Sequence, residues 1–306
     1  SYNSIYLIMA HHHSHGSQNY GKAFGISIAL NTIYVAVELY YGFVANSSAL
    51  LADAGHNASD VFSLILAWAA IKIATKRPSK RYTYGLRKTT ILASMINGVI
   101  IIAAAGLIAW DAIQKFQDPA GISGNLVMIV AAIGLVVNTG TAFLFWKGSK
   151  GDLNIRGAFL HMAADAGVTL GVLLVGLAIK YTGLTWIDPA LSLVIVLVIL
   201  YSAWGLLRDS VKIAIDAVPK NIDIDEVEKF LMDIEGVEEV HDLHIWAMST
   251  TETALSTHLV VPDGHEDQFI YDIREQLHEK YEITHTTLQI EKEFGDKEYK
   301  PYQGLE

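Results

Sequence analysis

Two short steps in a long apolar sequence carry ionisable side chains where lipid would surround them. HNASD runs from His56 to Asp60, and HMAAD from His161 to Asp165. Four residues along a helix advance about 400°, so each histidine and its aspartate share a face, one turn apart. Two such helices facing each other gather two imidazole nitrogens and two carboxylates, a four-ligand N/O set suited to tetrahedral Zn2+. Magnesium and calcium prefer all-oxygen shells with more ligands, whereas imidazole also accepts nickel, copper and cobalt.

Charge accounting adds a mechanism. Two aspartates neutralise one divalent cation, and protons on the histidines restore neutrality once the metal leaves. Histidine's reference pKa of about 6.5 makes that exchange possible near physiological pH. A site neutral in lipid with either metal or protons is, in outline, a metal/proton exchanger. The plainer reading of each step is an interhelical hydrogen bond. Its repetition on two segments favours a site, because each intramembrane charge costs about 2.5–3.5 kcal/mol on insertion scales. Asp53 lies about 60° around the helix from His56 and reads as a supporting or capping residue. Glu38, Asn31 and Asn138 either line the same cavity or make packing hydrogen bonds.

These residues need a membrane scaffold, and the chain supplies one. Of 306 residues 52% are hydrophobic, the mean hydropathy is +0.32 and there is no cysteine. Without thiols, disulfides, iron–sulfur clusters and thiolate metal sites are excluded. Residues 1–206 carry net charge +5 and residues 207–306 carry −15. An apolar, mildly basic part is thus joined to an acidic, polar one, which excludes a soluble single-domain enzyme and argues against nucleic acid as a partner. Six apolar stretches near 21–43, 49–72, 89–111, 124–147, 155–180 and 187–207 each approach the length of a lipid-spanning helix.

Lys72, Lys76, Arg77, Lys80, Arg81, Arg87 and Lys88 crowd the loop after the second stretch, and Lys147, Lys150 and Arg156 the loop after the fourth. The alternate loops are nearly free of basic residues. The positive-inside rule makes the basic loops, and both termini, cytoplasmic. The expected organisation is a mobile His-containing tail over 1–20, a six-helix transmembrane domain over 21–210, a soluble domain over 211–292 and a tail over 293–306. The histidines at 11, 12, 13 and 15 either collect metal near the cytoplasmic entrance or simply belong to that tail. The soluble part reads as helix (223–235), strands (237–248 and 254–261), helix (265–280) and strand (283–291), one small α+β domain.

ALLADAGHNASD at 49–60, HMAAD in the fifth span and GVEEVHDLHIWAMS at 236–249 together resemble the zinc-transporting members of the cation diffusion facilitator family. The resemblance implies that His56, Asp60, His161 and Asp165 form the transport site, in its zinc-preferring version. It also implies alternating access, with zinc leaving the cytosol against inward protons, and a ferredoxin-like cytoplasmic domain that makes a homodimer. His241, His258 and Glu291 would be regulatory zinc ligands there, with Asp242, His244 and His285 as competitors and solvated surface histidines as the alternative. Many members carry a zinc-site histidine in the second loop, where this chain has Leu86 and Arg87. The basic loops suit a bacterial inner membrane.

An intramembrane zinc hydrolase would need His-Glu-x-x-His, but Phe269 follows His265-Glu266 and Glu282 follows His278-Glu279 at the fifth position. A metal sensor would need an output motif, and no kinase, nucleotide-binding or DNA-binding motif is present. Lys88 is further expected to pair with Asp216 and hold the two parts together, the alternative being that it only obeys the positive-inside rule.

Overall fold

The computed structural model describes residues 21–117, 121–146, 149 and 153–293. The N-terminal histidine cluster and the last tail lie outside the described residues. Six helices are each long and apolar enough to cross a membrane: α1 (Gly21–Val44), α2 (Ser48–Ala74), α3 (Thr89–Gln117), α4 (Gly124–Trp146), α5 (Leu153–Thr182) and α6 (Ile187–Ala214). Helix is the form lipid permits, since it satisfies backbone groups within the segment. Large apolar side chains such as Leu107, Val136 and Tyr201 stay exposed on these helices, as a lipid-facing surface requires.

α3 and α6 run past the apolar stretches read from the sequence. Charge lowers hydropathy there without breaking the helix. Asp111 and Lys115 pair one turn apart at 2.8 Å, and the end of α6 through Arg208, Asp209 and Lys212 contains no glycine or proline.

Among the described residues, those up to Val61 with Leu107–Val196 form one compact unit, and Phe62–Gly106 with those from Leu197 onward form the other. In the first, α4 and α5 meet at glycines. A Cβ on Gly176 would stand 2.6 Å from the Met128 nitrogen, so glycine alone allows this backbone approach.

In the second unit, a C-terminal domain follows α6. Its elements are α7 (Ile224–Met232), β1 (Glu239–Ala247), β2 (Thr253–Val260), α8 (Asp267–Tyr281) and β3 (Ile283–Glu291). The order matches the sequence reading, and it is a ferredoxin-like arrangement without the usual first strand. Asp223 caps α7 by accepting from the amides of Asp225 and Glu226. The sheet order is β1-β2-β3, antiparallel then parallel. Val227 and Leu231 of α7, Ile273 and Leu277 of α8, and Leu255 and Leu259 of β2 form its core.

The same unit ties this domain to the loop before α3. Lys88 Nζ lies 2.7 Å from Asp216 Oδ1, the pair expected from sequence, and Arg87 lies 2.8 Å from Glu252. The Thr250 amide donates to Thr90 Oγ1 at 3.1 Å, and Tyr84 meets His285 edge-on. Both members of the Lys88 pair are half exposed, so the ion pair contributes at most about 1 kcal/mol. Lys88→Ala and Asp216→Ala are expected to lower the thermal midpoint of the detergent-solubilised protein slightly and equally. The double variant should be no worse than either single one; additive losses would mean that the residues act separately.

Candidate metal centre

α2 and α5 present their ionisable residues to a common point. His56 Nε2 lies 3.4 Å from Asp165 Oδ1, and His161 Nε2 lies 3.3 Å from Asp60 Oδ2 and 3.7 Å from Asp165 Oδ2. The imidazole centroids are 6.5 Å apart. Ligand atoms of His56, Asp60 and Asp165 fall within 4.8 Å of one another, and His161 closes the group through its contacts to both aspartates. The shortest pairings cross between helices, which the four-residue spacing alone does not reveal. Asp165 is 1% exposed, whereas the side chains of His56, Asp60 and His161 keep 27%, 39% and 44% of their surface. The central carboxylate is therefore the most enclosed of the four, while the other three side chains keep part of their surface open.

A polar network backs these residues. Asp53 is fully buried and accepts from Thr169 Oγ1 at 2.9 Å and from Asn57 at 3.3 Å. Thr169 also lies 2.9 Å from the Asp165 carbonyl, one turn back on α5, and receives the Asn138 amide from α4 at 3.1 Å. On α1, Tyr34 donates to Glu38 at 2.8 Å, and Glu38 is fully buried beside Asp53. Among the described residues, the Asn31 amide reaches the Met162 sulfur at 3.5 Å. Asp53 thus sits in a hydrogen-bonded support, and no helix end is near enough in sequence for it to cap. Thr169 and Asn57 escaped the sequence reading because a lone threonine or asparagine in an apolar helix usually makes a packing hydrogen bond.

The C-terminal domain gathers a second group. Antiparallel register sets His241 opposite His258, and parallel register sets Glu291 beside Val260, two residues from His258 and so on the same face of β2. His258 Nδ1 lies 3.0 Å from Glu291 Oε1, His241 Nε2 lies 3.4 Å from Glu291 Oε2, and the two rings are 5.1 Å apart. A bulge between His241 and His244, with Asp242 at φ 53, turns the Asp242 carboxylate to 3.0 Å from His244 and 3.7 Å from His258. His285 instead packs against Tyr84. Both groups offer nitrogen and carboxylate oxygen, a donor set for Zn2+ or a neighbouring divalent metal.

A six-span helical domain with histidine–aspartate pairs on facing spans, followed by this small mixed domain, defines an integral membrane protein of the cation efflux type. The chain belongs to that family. The cation efflux transmembrane domain matches residues 25–213, and the cation efflux protein cytoplasmic domain matches residues 219–293. A relative from Bacillus velezensis, a cadmium, cobalt and zinc/H(+)-K(+) antiporter, is 36% identical over 92% of this chain and 92% of its own length. Zinc transporter ZitB of Escherichia coli is 34% identical over 92% of this chain and 93% of its own. The metal-bound C-terminal domain of the CzcD transporter of Cupriavidus metallidurans is 35% identical, covering 23% of this chain and 99% of that one with a TM-score of 0.20.

Thr169→Val keeps the shape of the side chain and removes the hydroxyl that joins Asp53 to the α5 backbone. Zinc affinity, measured by calorimetry on the purified protein, is expected to fall about 10–100-fold, the usual loss when support for a metal ligand is removed. An unchanged affinity would leave Thr169 a packing residue.

Proposed function

We propose that this chain exports Zn2+ in exchange for protons by alternating access, holding the ion between α2 and α5 with His56, Asp60, His161 and Asp165. The carrying observation is the crossed pairing of each histidine with the aspartate of the other helix, around the desolvated Asp165. One Zn2+ balances Asp60 and Asp165, and protons on His56 and His161 balance them when it leaves. The names of the ZitB relatives support zinc, and the antiporter name of the Bacillus relatives supports proton exchange. Cadmium and cobalt fit the same donors less selectively.

The membrane is the bacterial inner membrane in this reading. The basic loops, both termini and the C-terminal domain face the cytoplasm. Two copies pair through their C-terminal domains. His241, His258 and Glu291 take a regulatory zinc there, with Asp242 or water as the fourth ligand.

Zinc flux into proteoliposomes under an imposed pH gradient tests the transport site. Asp60→Asn and Asp165→Asn should each reduce gradient-driven flux to the protein-free background, and flux indifferent to both changes would overturn it. The second site has its own readout. His258→Ala should leave the transmembrane site binding zinc while lowering the zinc stoichiometry of the protein by one, and an unchanged stoichiometry would exclude the C-terminal site.

A further inference from the structure

The N-terminal end of the site helix α2 is held from outside its own chain segment. A helix begins with amides that lack partners. Ser47 serves one of them, accepting from the Leu50 amide at 3.1 Å. Two more go to Asp188 at the start of α6, which accepts from the Ser48 amide at 2.7 Å and the Ala49 amide at 3.2 Å, and also from the Ser47 hydroxyl. The Ser48 hydroxyl turns the other way and donates to Asp111 near the end of α3, where Lys115 completes an ion pair. The Ser123 amide, between α3 and α4, donates to the Ala45 carbonyl at 3.0 Å. Asp188, Ser47 and Ser48 are fully buried.

Burial along α2 is one-sided. Every residue from Ser48 to Ala54 is buried, all round the helix for nearly two turns, whereas from Gly55 to Val61 only Asn57 is. The half-exposed His56, Asp60 and His161 are therefore closed off towards the start of α2, and their open surface lies away from it.

We propose that Asp188, capping α2 from α6, is the latch of the gate that closes the transport site on the side of the α1–α2 turn. This rests on the transport reading above, in which the α1–α2 turn faces away from the cytoplasm. An exchanger must open its site to each side in turn, so α2 has to leave α6 and α3 there. The groups that separate, a carboxylate with two amides and a hydroxyl, then meet water in place of each other. A hydrogen bond exchanged for water changes the free energy little, which lets the latch open and close. Apolar packing alone would have no such compensation.

The chain has no cysteine, so a single introduced one reports directly. Ser192 lies one turn beyond Asp188 on α6, fully buried, and its hydroxyl has no hydrogen-bond partner among the described residues, so Ser192→Cys changes little. In oriented proteoliposomes of the full chain, this cysteine should react slowly with a membrane-impermeant maleimide. Adding Asp188→Ala should raise the rate from the α1–α2 side about tenfold, the population shift that goes with losing one charge-assisted cap, and Ser47→Ala should raise it less. Cysteine at Ala131, equally buried in α4, should keep its rate.

An unchanged rate at Ser192→Cys in both variants overturns the latch, as does an equal rise at Ala131→Cys, which would mean general loosening. A rise confined to reagent added on the basic-loop side also overturns the latch, since that loop follows the far end of α2 on the opposite face of the membrane. Zinc binding by the Asp188→Ala protein separates the two readings: retained binding with faster labelling supports a gate. Lost binding with unchanged labelling places Asp188 in the site's support and overturns the latch.

Discussion

Asp165 sets the electrostatic terms of this molecule. Its carboxyl group is 1% exposed in the middle of an apolar bundle, and its partners among the described residues are His56 and His161. No lysine or arginine among the described residues pairs with it. A carboxylate so placed needs a positive charge beside it, and His56 and His161 offer a removable one, as a proton on imidazole or through a shared metal ion. Permanent neutralisation by arginine would stabilise the fold better and leave nothing to exchange. The site is therefore built to be incomplete without a mobile cation.

That constraint explains the polar residues around it. Asp53 adds a second buried carboxyl group, which would be costly alone, yet Thr169 and Asn57 donate to it and Glu38 meets it from α1. Thr169 in turn is fixed by Asn138. The chain of donors runs through α1, α2, α4 and α5, so the positions of His56 and Asp165 depend on helices that contribute no ligand. Glycine at 124 and 176 lets α4 and α5 approach closely enough for these short side chains to reach. Packing and ligand geometry are one problem here.

Much of this was legible in the sequence because helix and strand periodicities are local. The His-x-x-x-Asp steps, six apolar stretches and the αββαβ order follow from spacing within single segments, and the last strand was read to the residue as 283–291. What crosses between segments was not legible. The exchange of partners between His56 and His161 depends on how α2 and α5 are rotated. The role of Asp242 depends on a bulge that no local pattern announces. α6 outran its expected end because hydropathy measures the lipid boundary, whereas a helix stops only where caps or breakers stop it. Lys88 and Asp216, 128 residues apart, are the exception: a basic loop beside an acidic domain suggested the pair, although the positive-inside rule alone also accounts for Lys88.

The two clusters hold similar donors on unlike frames, and the frames differ in what they permit. In the membrane, the ligands ride on two helices, each satisfying its backbone bonds internally, so one helix can move against the other without breaking any of them. The ligand set can then be dismantled by rigid displacement, as passage of an ion requires. In the C-terminal domain, His241, His258 and Glu291 sit on adjacent strands joined by ladder hydrogen bonds. The backbones that carry those side chains cannot part without tearing the sheet. A cation bound there is held by a frame that does not open, which suits lasting occupancy. Under the transport reading, histidine and carboxylate thus make a carrier on helices and a stationary site on a sheet.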